Sequence, residues 1–213
     1  AGSALMQNEK VAEDIIKSVV NSVNVPVTLK MRTGWNPGNI NAPSIAKLAE
    51  NSGVEMITIH GRTRAQKYSG SAEYDTVRKI VNNSSIPVIA NGDITSAQKA
   101  KEVLDYCGAD GVMLGRATQG NPWLIFEVNH FLSTGKLAET PKLNEKIATI
   151  LSHISQIYDF YGHKIGTQLS RKHIFWYSMH LDQKKCVEFW PSINRVTDHS
   201  EQYFKFHNFL YSL

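Results

Sequence analysis

Four short apolar runs constrain this chain more than any other feature: Val25–Met31, Met56–His60, Ile86–Ala90 and Gly111–Leu114, each followed by a polar turn that carries a glycine. Runs of this length, bounded by turn residues, read as buried strands. The segments between them carry apolar residues at helical spacing. "SIAKLAENS" sets Ile45, Leu48 and Ala49 on one face ahead of Gly53, a helix stop, and "TSAQKAKEVLDYCGADG" opens on Thr95 and Ser96, both candidate N-caps. Strands and helices in alternation build a parallel sheet, either an open doubly wound sheet or part of a (β/α)8 barrel. Four units are half of eight.

The strand ends carry the chemistry. They read "LKMRTGW", "IHGRT", "ANGDI" and "LGR", so Lys30, His60, Asn91 and Arg116 fall where a parallel barrel gathers its functional groups. Glycine in each turn lets the backbone approach a ligand closely. Taken singly, each turn is also compatible with an ordinary polar connection. The last two are the most specific, because barrel phosphate sites lie on the loops after the final strands and at the start of a short helix. "GRATQGNPWLI" is expected to supply that start, with Asn121 as cap and Pro122 in the first turn.

Composition divides the chain. Residues 141–213 hold 9 Lys and Arg against 6 Asp and Glu, 13 of the 20 Phe, Trp and Tyr, and 6 of the 8 His. The shift falls at "STGKLAETPKLN", a linker-like stretch, which predicts one domain over residues 1–140 and a second over 141–213. The tail carries +3 of the net charge of +4, and its helical spacing of aromatic and basic residues reads as a helix bundle with a solvated face. No apolar run reaches the ~20 residues that span a bilayer, and a cytoplasmic location is expected. Cys107 and Cys186 lack any CxxC or Cys/His spacing, and the tail histidines lack a metal-ligand pattern, so neither a disulfide nor a metal is expected.

"LKMRTGW", "IHGRTRAQKYSG", "PVIANGDI", "GVMLGRATQGNPWL" and "RKHIFWY" together resemble the tRNA-dihydrouridine synthases, and most closely their bacterial B-type branch. The resemblance runs over nearly the whole chain. It implies an α/β fold made of the C-terminal half of a (β/α)8 TIM barrel followed by a small all-helical tRNA-binding domain. It also implies bound FMN, NADPH or NADH as reductant, and tRNA as the partner whose uridine C5–C6 double bond is reduced. By the same resemblance Lys30 would lie beside the pyrimidine side of the flavin and His60 near its ring. Asn91, Gly92, Asp93, Gly115 and Arg116 would grip the ribityl phosphate. Arg62, Arg64, Gln66 and Tyr68 would face RNA at the pocket mouth, and Arg171 and Lys172 would meet it from the helical domain.

One family feature has no counterpart here. The general-acid cysteine that protonates uridine C5 is expected upstream of Ala1, so the chain reads as a C-terminal portion, inactive alone and with raw sheet edges. Cys107 and Cys186 are expected to be inert. Two other readings stay open: another FMN barrel of the dihydroorotate dehydrogenase kind, against which the basic aromatic tail argues, and a non-catalytic RNA-binding remnant.

Overall fold

The computed structural model describes residues 2–213. A 3-10 turn, Gly2–Gln7, leads into helix α1 (Glu9–Ser22), capped by the Asn8 side chain, which accepts the Val11 N–H. Strands and helices then alternate: β1 (Thr28–Arg32), α2 (Ala42–Asn51), β2 (Met56–His60), α3 (Asp75–Val81), β3 (Val88–Asn91), α4 (Ala97–Cys107) and β4 (Gly111–Met113). Ser96 caps α4 by accepting the Lys99 N–H, and Gly108 ends it in the left-handed region at φ 71°.

The four strands are parallel and neighbour one another in sequence order, β1-β2-β3-β4. A doubly wound sheet reverses direction at a switch point, whereas barrel strands follow one another as these do. The fold is α/β, a partial barrel followed by helices.

Register sorts the side chains. Partners in a parallel ladder point to the same side, and successive residues to opposite sides. Leu29 and Met31, Ile57 and Ile59, and Val88 and Ala90 therefore share one face. All but Leu29 of these are buried. Helices α2, α3 and α4 pack against β1, β3 and β4 and bring buried Ile45, Ala49, Val77, Ile80, Ala100 and Val103. The other face carries Lys30 and Arg32, Thr58 and His60, Ile89 and Asn91, and Gly111 and Met113. One face is a core, and the other is chemically equipped.

After β4 comes a 3-10 turn, Arg116–Thr118, and then α5 (Leu124–Thr134). The helix expected to start at Asn121 and Pro122 begins only at Leu124, because the Asn121 carbonyl accepts the Leu124 N–H within a turn. The chain divides into two compact units: the sheet-bearing residues up to Gly115 together with Glu127–Gly135, and Arg116–Phe126 together with Lys136–Leu213. A segment lying before the Thr140 expected from composition thus belongs with the helices. Gly120, at φ 76°, sits so close to the Trp176 and Tyr177 backbone that a β-carbon would collide with the Trp176 carbonyl, and Trp123 packs on the helical core.

That second unit contains α6 (Leu143–Tyr161), α7 (His163–Leu181), α8 (Gln183–Ile193) and α9 (His199–Tyr211). Ile147, Ile150, Ile154, Ile174, Ile193, Phe206 and Leu210 fill its centre. One buried polar knot interrupts this apolar core: Gln202 Oε1 accepts from Tyr158 Oη at 2.8 Å and Ser170 Oγ at 2.6 Å. Among the described residues no helix is long and apolar enough to cross a membrane.

Candidate active site

The carboxyl ends of β1, β2 and β3 bring together one row of the polar face: Arg32 pairs with His60, and His60 with Asn91. Lys30 lies two residues below Arg32 on the same side. Asn91 Nδ2 donates to the Met113 carbonyl at 2.7 Å, which ties β3 to β4. His60 is 9% exposed. Burial, reinforced by the positive charges of Arg32, Lys30 and Arg62, lowers its pKa to about 4, so the imidazole is neutral at pH 7. Desolvation and the nearby Arg32 lower Lys30 as well. Positive charge is concentrated here, offset in part by the Asp93 carboxylate.

The turn after β3 explains why that strand stops. Gly92 adopts φ 124°, and a β-carbon there would lie 2.7 Å from Ala72 Cβ and 3.1 Å from His60 Cδ2. Only glycine fits. The following residue, Asp93, holds φ 45°, an uncommon conformation for a residue with a side chain. Its carboxylate accepts from Arg62 Nη1 at 2.9 Å, from Arg62 Nη2 at 2.6 Å and from the Ala72 N–H at 2.8 Å. Tyr74 Oη donates to the Gly92 carbonyl. Burial, aided by the Asp93 charge, pushes the Tyr74 phenol up to about 12, so it stays a donor.

These contacts redistribute the expected roles. Arg62, expected to face RNA, is 2% exposed and spent on Asp93 and on the carbonyls of Gly70 (2.6 Å) and Ser69 (3.2 Å). A guanidinium this buried needs a carboxylate, and Asp93 is that partner. Asp93, expected in the phosphate grip, has its carboxylate taken up by Arg62 and the Ala72 N–H. Gln66, also expected at the RNA surface, turns inward: its Oε1 accepts from the Thr63 N–H at 2.7 Å and from Thr63 Oγ1 at 2.9 Å. Arg64 does remain exposed, 4.9 Å over the Trp35 ring.

Gly115 ends the first unit and Arg116 opens the second. A β-carbon built on Gly115 would meet no heavy atom within 4 Å other than those of its chain neighbours. In the helical unit Lys172 is exposed, with Nζ 6.0 Å from the Trp176 ring centre. Arg171 is half-buried and donates to the Val196 carbonyl at 2.9 Å, which makes it a tie between α7 and the loop before α9.

The sequence reading did not single out Arg32, Trp35 or Tyr74. Arg32 carried a signal, since it stands two residues after Lys30 and strand periodicity puts both on one face. Both cysteines are buried, and burial raises their thiol pKa values. Cys107 closes α4, before β4 and away from the strand ends. Among the described residues no group of three or more His, Cys, Asp or Glu could hold a metal.

The four parallel strands form an α/β barrel segment whose strand ends carry a cationic face and glycine-built turns. The sequence matches the family described as "Dihydrouridine synthase (Dus)" over residues 1–211, and the chain belongs to that family. It is similar to a "Probable tRNA-dihydrouridine synthase" of Rickettsia conorii, 48% identical over 93% of this chain and 59% of that protein. It is also similar to "tRNA-dihydrouridine synthase B" of Shewanella oneidensis, 47% identical over 95% of this chain and 62% of the relative. The Escherichia coli K12 protein of the same name is 48% identical over the same shares. The chain thus spans about three fifths of the length of the curated relatives it matches.

Proposed function

We propose that this chain forms part of an FMN-dependent tRNA-dihydrouridine synthase, which reduces the C5–C6 double bond of particular uridines in tRNA with NADPH as the electron source, in the cytoplasm. The observation that carries this reading is the single polar face of Lys30, Arg32, His60 and Asn91, set beside a turn only Gly92 can make. FMN fits that face. Its phosphate and its reduced ring are anionic, and because Asp93 is matched by Arg62, Lys30 and Arg32 remain as surplus positive charge. When bound, the flavin would supply the hydride for uridine C6.

In this reading Lys30 stabilises negative charge at the pyrimidine side of the ring, and neutral His60 offers a hydrogen bond without adding charge. Asn91 and the Gly92, Asp93 and Gly115 backbone approach the ribityl phosphate, with Arg116, covalently next to Gly115, adding charge. Arg64 and Lys172 meet RNA phosphates. The proton for C5 comes from neither cysteine of this chain, since both thiols are buried and burial makes each a weaker acid. The acid belongs, in this reading, with the part of the relatives outside the match.

Undermodified tRNA, FMN and NADPH, supplied to the chain joined to the part of the relatives outside the match, provide the test. Dihydrouridine, with a flavin that NADPH bleaches and tRNA reoxidises, is the expected result. Flavin that copurifies but turns over a free pyrimidine instead of tRNA would overturn it.

A further inference from the structure

Helix α3 starts on a residue poorly suited to a helix start. Its N-cap is Tyr74, whose side chain makes no capping hydrogen bond, at a position where serine, threonine, asparagine or aspartate is preferred. The capping falls instead to Glu73, whose Oε2 accepts the Thr76 N–H at 2.9 Å. Tyr74 is left for a distant contact: its hydroxyl donates to the Gly92 carbonyl, in the turn after β3.

The backbone that carries the ring is fixed. The Glu73 N–H donates to the Gly61 carbonyl at 2.7 Å and the Gly61 N–H to the Asn91 carbonyl at 3.0 Å, so the base of Tyr74 is bracketed to the ends of β2 and β3. A β-carbon on Gly61 would meet the Glu73 carbonyl oxygen at 2.1 Å, so the bracket admits no larger residue there.

The turn at the far end of this contact needs holding. Gly92 and Asp93 both have positive φ, 124° and 45°, and the aspartate is the strained one. Arg62 and the Ala72 N–H hold the Asp93 side chain, but a side-chain clamp leaves the preceding peptide plane able to turn over. Turning it over would bring Asp93 to negative φ and relieve the strain. Tyr74 grips that plane itself, through its carbonyl. In a trans peptide the carbonyl and the N–H point opposite ways, so the plane offers one or the other to a ligand beside it. A carbonyl oxygen repels an anion.

We propose that Tyr74 is a positioning residue for the cofactor phosphate: by holding the Gly92 carbonyl back, it keeps the turn after β3 in the form that an anion can approach. The proposal rests on the reading of this face as a flavin site. It adds a residue that acts through the turn and sets the preference for a phosphorylated flavin over an unphosphorylated one.

The test titrates FMN and riboflavin, followed by flavin fluorescence, into wild type, Tyr74→Phe and Tyr106→Phe, each in the chain joined to the part of the relatives outside the match. Riboflavin has the same ring and lacks the phosphate. Tyr106 is the control, since its hydroxyl donates to Asp75 between α3 and α4, and its loss should leave both affinities as in wild type. Wild type should prefer FMN by roughly tenfold or more, as a charge-assisted contact implies. Tyr74→Phe should weaken FMN roughly 3- to 10-fold, the worth of one net hydrogen bond, and leave riboflavin within about twofold. The ratio of the two affinities stays informative if the variant is less stable, because unfolding lowers both apparent affinities by the same factor. A wild-type ratio in Tyr74→Phe, or the same fall in Tyr106→Phe, would overturn the role. Wild type that binds both flavins equally would overturn it and leave the flavin reading standing, whereas wild type that binds neither would overturn both.

Discussion

Removing the Arg62 guanidinium should unlock the two loops that shape the site. Arg62 makes four hydrogen bonds: two to the Asp93 carboxylate, at 2.9 and 2.6 Å, and one each to the Gly70 and Ser69 carbonyls. Breaking a buried ion pair by deleting one partner costs about 3–5 kcal/mol, because the other charge is left uncompensated. Asp93 is 32% exposed and keeps the Ala72 N–H, which points to the lower end of that range. Ser69 and Gly70 are exposed, so their carbonyls can turn to water and add little. A loss of about 3 kcal/mol in a protein of this size lowers Tm by about 6–12 °C. The assay is a double-mutant cycle on Arg62→Ala and Asp93→Asn, followed by thermal and denaturant unfolding. A coupling above about 1.5 kcal/mol is expected, and Arg62→Lys should fail to rescue, since an ammonium cannot form the bidentate pair. Coupling below about 0.5 kcal/mol would refute the clamp and return Arg62 to the ligand-facing residues.

Acid should weaken the fold early. His60 and His173 each have a native pKa of about 4, below the ordinary histidine value, so their contribution is intact above pH 6.5 and is lost as pH falls from there towards 4; unfolding from pH 7 to 5 should show about 1 kcal/mol lost per pH unit for each, and a flat profile would argue that both rings are solvated. Gly120→Ala should cost at least 1–3 kcal/mol in the helical unit, read by urea unfolding, because a β-carbon meets the Trp176 carbonyl at a positive φ. Lys172→Ala should leave stability unchanged while lowering the salt slope of tRNA binding by about one, whereas Arg171→Ala should cost about 1–3 kcal/mol of stability through the orphaned Val196 carbonyl; the reverse pattern would exchange their roles.

Much of the sheet was legible because a barrel strand is apolar on the face turned to the helices. β2 runs Met56–His60, as its apolar run predicted. β1 and β3 are displaced towards their polar ends: Thr28–Arg32 against the expected Val25–Met31, and Val88–Asn91 against Ile86–Ala90. Pro26 and Pro87 lack the N–H a ladder needs at the front of each strand. Arg32 and Asn91 extend the back, because ladder bonds are made by backbone and do not depend on hydropathy.

The site was legible in position and less so in role. Lys30, His60 and Asn91 fall on one face because strand periodicity is strict. The pairing of Arg62 with Asp93, 31 residues away, has no local signature, and a charged residue in a polar loop looks the same whether it meets solvent, a ligand or another side chain. The contacts of Gln66 and Arg171 were hidden for the same reason. Each has a polar group that a neighbouring backbone claims first.

If the polar face of the sheet binds flavin, Lys30 is the residue whose loss should show it, because it is exposed and makes none of the contacts that hold the loops. Flavin fluorescence titrations of wild type and Lys30→Ala, at equal circular dichroism, should show a clear loss of affinity. A charge-assisted contact worth about 1.5–3 kcal/mol corresponds to roughly tenfold or more. Equal FMN affinity in the two proteins would contradict the assignment of this face to the cofactor.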